Sequence, residues 1–87
     1  MAKSKQGSVP DSISASLFKL ATDLENQGLI KQAVPAYLKL ISRYPNSPVT
    51  PDAIERVLAV VESMRKMGQH HVAMTVLDQL EAAYQGS

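Results

Sequence analysis

The chain of 87 residues contains no cysteine, which removes disulfides, thiolate metal sites and cysteine nucleophiles together. No apolar run approaches the ~20 residues that span a bilayer, and the first dozen residues lack an apolar stretch of signal-peptide length. A cytoplasmic location is expected if this is the full native chain. Charge of one sign is also missing: nine Lys and Arg stand against eight Asp and Glu, a formal +1. The basic residues are scattered, so neither the basic stripe of a nucleic-acid binder nor the basic amphipathic face of a membrane-surface helix is present. There is no Gly-rich phosphate loop and no pairing of acid and base or of Ser, His and Asp. No enzyme activity and no cofactor are expected. His70 and His71 are adjacent and project ~100° apart on a helix, so they cannot grip one metal as an i,i+4 pair would.

What the chain does have is helical periodicity over a length suited to one domain. Residues Met1 to Pro10 are mostly Lys, Ser, Gln and Gly and read as a flexible tail. Asp11 is placed to cap a first helix, in which Ile13, Leu17, Leu20 and Leu24 recur on one face as far as about Gln27. Gly28 permits a left-handed reversal into a second helix, starting near Lys31 and carrying Ile30, Val34, Tyr37, Ile41 and Tyr44 in line. Pro35 fits there if it lies in the first turn or so, where its missing amide proton would have no acceptor. The segment Pro45, Asn46, Ser47 and Pro48 cannot continue a helix. Thr50 as N-cap, Pro51 at the first helical position and Asp52 in the first turn then open a third helix, which ends near Met67. Its Asp52–Arg56 and Glu62–Lys66 spacings suit exposed i,i+4 pairs. Gly68 repeats the reversal, and Ala73, Val76, Leu77, Leu80 and Tyr84 define a fourth helix. The organisation expected is a tail over 1–10 and one all-α domain over 11–87, with helical hairpins at 11–44 and 50–84.

A shift of 40 residues carries Gly28 onto Gly68. It also carries Leu17, Leu20, Leu24, Ala33, Tyr37 and Leu40 onto Val57, Val60, Met64, Ala73, Leu77 and Leu80, every pair apolar. A period of this size indicates stacked helical units. Leu17, Leu20, Ala21, Leu24, Gly28, Ala33, Tyr37 and Pro45 fall at the spacings of the tetratricopeptide repeat, which the chain resembles over about residues 13–84. The surplus over that family's usual period of about 34 residues sits in the Pro45–Thr50 connector. The resemblance implies two stacked antiparallel hairpins, a superhelical arrangement, with a protein or peptide as partner.

The resemblance also implies that the first helix of each hairpin lines a concave face. That face presents Phe18, Thr22 and Glu25 from the first hairpin with Leu58, Glu62 and Arg65 from the second, and these six are the candidate partner-binding residues. Phe18 and Leu58 are expected to be exposed apolar anchors, with Glu62 and Arg65 as polar rim. Met64, Met67 and Met74 suit either core filling or an adaptable partner groove. The function expected is a scaffold or adaptor. The alternatives are self-association through uncapped repeat ends, including Val72 and Val76 of the fourth helix, or a helical bundle around a small apolar ligand.

Overall fold

The computed structural model describes the backbone of residues 2–85 and the side chains of residues 11–84. It contains four helices, α1 (Ala2–Asn26), α2 (Ile30–Arg43), α3 (Thr50–Lys66) and α4 (His70–Gln85), with no strand among the described residues. They form two hairpins, α1–α2 and α3–α4. The central helix α2 packs against all three others, while α4 packs against α3 and α2.

The two reversals have the same construction. Gly28 and Gly68 both sit at φ 83°, a left-handed conformation in which glycine has no Cβ to clash. In the first turn the Leu29 amide donates to the Leu24 carbonyl at 2.9 Å and the Gly28 amide to Glu25 at 2.9 Å. In the second, Gln69 donates to Met64 at 2.8 Å and Gly68 to Arg65 at 3.0 Å. This double bond pattern satisfies the orphan carbonyls at a helix C-terminus. The next helix is entered at once, Ala33 donating to Leu29 and Ala73 to Gln69.

The core is one cluster of Ala21, Ala33, Val34, Tyr37, Leu40, Ile41, Ala53, Val57, Val60, Val61, Ala73, Val76 and Leu80. Ala33 and Ala73, small and almost fully buried, let the paired helices approach closely. Among the described residues no buried side-chain N or O atom lacks a hydrogen bond.

Four local expectations are corrected. First, α1 does not begin at a cap on Asp11: the helix spans Ala2–Asn26 and crosses Pro10, whose missing amide proton leaves one intrahelical bond unmade. Second, the buried side of α1 is Ser14 and Ala21, with Leu17, Phe18 and Leu24 packed beside them, whereas Ile13 and Leu20 are exposed. The four-three-four spacing was compatible with either of two adjacent stripes, and the packing of α2 selects the one containing small residues. Third, α2 starts at Ile30, so Pro35 lies beyond the first turn. The carbonyl of Lys31 therefore loses its intrahelical donor, on a side where both Lys31 and Pro35 face solvent. Fourth, Thr50 is the first residue of α3, not its cap. Its buried hydroxyl donates back to the carbonyl of Tyr44, tying the start of α3 to the end of α2.

Within the connector, Ser47 is buried against α1. The Ser14 hydroxyl donates to the Asp11 carbonyl at 2.9 Å, and its oxygen lies 2.6 Å from the Ser47 hydroxyl. With the Ser14 proton so used, Ser47 is the donor of that short bond. The amide of Val49 in turn donates to Ser47 Oγ at 3.3 Å. A polar pin thus fastens the six-residue connector to the first hairpin.

Candidate protein-interaction site

Where the two hairpins meet, a polar cluster links three helices. Tyr37 of α2, buried in the core, donates its phenol to Glu25 Oε1 of α1 at 2.7 Å. Arg56 of α3 forks onto the same carboxylate, with Nε on Oε1 at 3.1 Å and Nη2 on Oε2. Such a fork fixes direction as well as charge. Burial pushes the Tyr37 phenol up to about 12, helped by its bond to the Glu25 carboxylate. Burial alone would raise the Glu25 carboxyl too, but hydrogen bonds from Arg56 and Tyr37 outweigh it and hold the group below its ordinary value. Hydrogen bonding to Glu25 raises Arg56 in return. The cluster is spent on internal bonds, and its chemistry is that of a clamp between hairpins.

This clamp reassigns part of the expected binding face. Phe18 is not an exposed anchor; it is half-buried, packed on the core with its ring 6.0 Å from that of Tyr37 at 59°. Thr22 is half-buried and returns its hydroxyl to the Lys19 carbonyl at 2.9 Å. Glu25 is held by Tyr37 and Arg56. On α3, Leu58 is exposed as expected, and Glu62 pairs with Arg65 at 3.3 Å in solvent. The two pairs expected along α3 are therefore replaced, since Arg56 turns away from Asp52 to Glu25 and Glu62 takes Arg65. A half-buried carboxylate with a second donor beside it is a better partner for a guanidinium than a solvated one.

A groove of about 580 Å³ opens beside the clamp, between the first turn and the second hairpin. Ile30, Val60, Met64, Met67 and Val72 supply its apolar lining, and Glu25, Arg56 and Lys31 stand at its edge. Met67 is 68 % exposed, and Val72 is also exposed. Of the methionines that the sequence leaves between core filling and a partner groove, Met64 packs partly on the core, and Met67 and Met74 face solvent. The signal that could have located the groove is the placement of Met67 and Val72 on either side of the Gly68 turn. His70 and His71 are both exposed, and among the described residues no three His, Cys, Asp or Glu side chains gather as a metal site. No described helix is long and apolar enough to cross a membrane.

Residues 15–47, which comprise most of the first hairpin and its connector, match the sequence model described as tetratricopeptide repeat. No curated protein and no solved structure shows a significant match. The first hairpin is thus similar to a tetratricopeptide repeat, and the second is a helical hairpin with the same turn construction.

Proposed function

We propose that this tetratricopeptide-like chain is a non-catalytic interaction module, an adaptor that receives an apolar segment of a partner protein in the groove between its hairpins. Tetratricopeptide repeats generally mediate protein–protein contacts, and the groove supplies a specific place for one here. The observation that carries the reading is the exposure of Met67 and Val72 beside Ile30 and Met64. Apolar side chains gathered in a concavity gain from being covered, and methionine adapts its shape to the segment that covers it. The Glu25–Arg56 clamp holds the hairpins that form the walls, and Lys31, exposed and in no ion pair among the described residues, adds a cation at the rim.

The exposed face of Leu58, Glu62 and Arg65 is the second surface, kept because Leu58 stands uncovered. The two are separated by affinity capture from the native cell lysate, comparing the parent protein with Met67→Asp/Val72→Asp and with Leu58→Asp. All substituted positions are exposed, so circular dichroism should show unchanged helicity. Loss of the captured protein with the groove variant alone supports the groove. Loss with Leu58→Asp alone moves the site to the outer face of α3.

A further inference from the structure

The 40-residue offset allows each hairpin to serve as the control for the other. Val60 of α3 is 7 % exposed, yet its counterpart Leu20 of α1 is 51 % exposed. Ala53 is fully buried, while its counterpart Ile13 is exposed. The difference between the helices is that α3 has a preceding hairpin lying against it, through α2, and α1 has none. The same subtraction works at the other end. Val34 of α2 is 5 % exposed and its counterpart Met74 is 57 % exposed; Ile41 is fully buried and its counterpart Glu81 is exposed. Here α2 has a following helix against it and α4 has none.

The joint between the hairpins is therefore an insert, Ala53 and Val60, seated on a receptor, Val34 and Ile41. Both halves of that joint recur uncovered at opposite ends of the molecule. Ile13 and Leu20 form the spare insert. The spare receptor is a groove of about 580 Å³ lined by Ile54, Met74, Leu77, Asp78, Glu81 and Tyr84 together with Leu80.

We propose that these two faces mate head to tail, α1 of one copy docking on α4 of the next as α3 docks on α2 within the chain. Size supports a second copy as occupant. The spare insert carries larger side chains than the internal one, Ile for Ala and Leu for Val, and the spare receptor is an open groove where the internal one is filled. Charge agrees as well. Lys19 adjoins Leu20 and is solvated, its only described pairing a loose one with Asp23 at 3.8 Å, and Asp78 lies one turn from Met74. Because α2 runs antiparallel into α3 through a short connector, Val34 lies toward the Val60 end of the internal joint. Met74 and Leu20 accordingly share an end in the spare joint, which sets Asp78 about one turn along α4 from the level of Lys19 and leaves Glu81 opposite Ile13.

A face mating with a different face leaves one face free at each end of the pair, so the stack lengthens until the ends meet in a ring or run on as a filament. Neither face belongs to the inter-hairpin groove, so this joint stands or falls independently of the adaptor reading.

The test is complementation. Molar mass is measured by sedimentation velocity from low micromolar to near millimolar concentration for the parent protein, Leu20→Asp, Met74→Asp and their equimolar mixture. The parent mass should climb beyond the dimer with concentration. Each variant alone should stay monomeric with unchanged helicity, since each keeps only one working face. The mixture should form a dimer and stop there, the intact α1 of Met74→Asp seated on the intact α4 of Leu20→Asp. A parent that remains monomeric throughout overturns the proposal, and so does a closed parent dimer. Variants that fail to complement each other overturn it too, since a symmetric contact or a foreign segment as natural occupant gives that result.

Discussion

Helix α2 of the first hairpin is enclosed by its neighbours, while α4, its counterpart in the second, is open on one side, although the two hairpins share a turn geometry and a spacing. Tyr37 and Leu40 are fully enclosed in the first, while their counterparts Leu77 and Leu80 sit nearer the surface. In a stacked architecture burial is set by neighbours as much as by residue type. Val34 and Met74 are both apolar and occupy equivalent positions, and only the one with a helix against it is covered.

The largest expected effect breaks this asymmetry in the core. Leu40→Ala should cost about 4 kcal/mol and its counterpart Leu80→Ala about 2 kcal/mol, the deeper site being less able to relax around the cavity. Urea denaturation of both variants at low concentration checks the ranking. Equal losses would mean α4 is as enclosed as α2.

Next come the turns, where the hairpins should behave alike. A Cβ added at Gly28 or Gly68 meets nothing within 4 Å, so alanine there is opposed by the left-handed backbone alone, at about 1–2 kcal/mol in either turn. Thermal melts that differ markedly between Gly28→Ala and Gly68→Ala would show the turns to be unequal.

The connector pin is a feature of the first hairpin alone. Ser14→Ala should cost about 1–2 kcal/mol by leaving the buried Ser47 hydroxyl without its acceptor, while replacing both serines should cost less than the two single losses combined.

The clamp has a pH signature with two limbs. Glu25 titrates below its ordinary value of 4.5. Its contribution is thus present above that value and is lost as pH falls through the lower folded-state value. Tyr37 holds its proton up to about 12 against an ordinary 10.0, so its contribution is present below pH 10 and is lost as pH rises between them. Tyr37→Phe should remove the alkaline limb at a cost of about 1 kcal/mol at neutral pH. Smallest of all, Glu62→Gln should change stability by less than about 0.5 kcal/mol, because the pair with Arg65 is solvated. Denaturant titrations across pH distinguish the two.

The features legible in the sequence were those carried by local chemistry. Gly28 and Gly68 announced their reversals, Pro45 to Pro48 announced the connector, and the repeat offset placed equivalent residues on equivalent faces. What was not legible depends on partners distant along the chain. Arg56 has Asp52 at helical spacing, and nothing local marks Glu25 as the better-placed carboxylate. Ser14 looks like a surface residue until Ser47 is brought beside it. Phe18 was expected to be exposed because of the face it shares with Thr22 and Glu25, but the Tyr37 ring occupies the space next to it. Leu20 and Ile13 have every property of core residues and lack only the helix that would cover them.

The asymmetry between the hairpins is tested most directly by hydrogen exchange of individual amides at low concentration, where copies of the chain are apart. Amides around Tyr37 to Leu40 in α2 are expected to exchange only through global unfolding, and those from Asp78 to Tyr84 in α4 through local openings several tens of times more frequent. Equal protection along α2 and α4 would contradict the division between an enclosed α2 and an open α4.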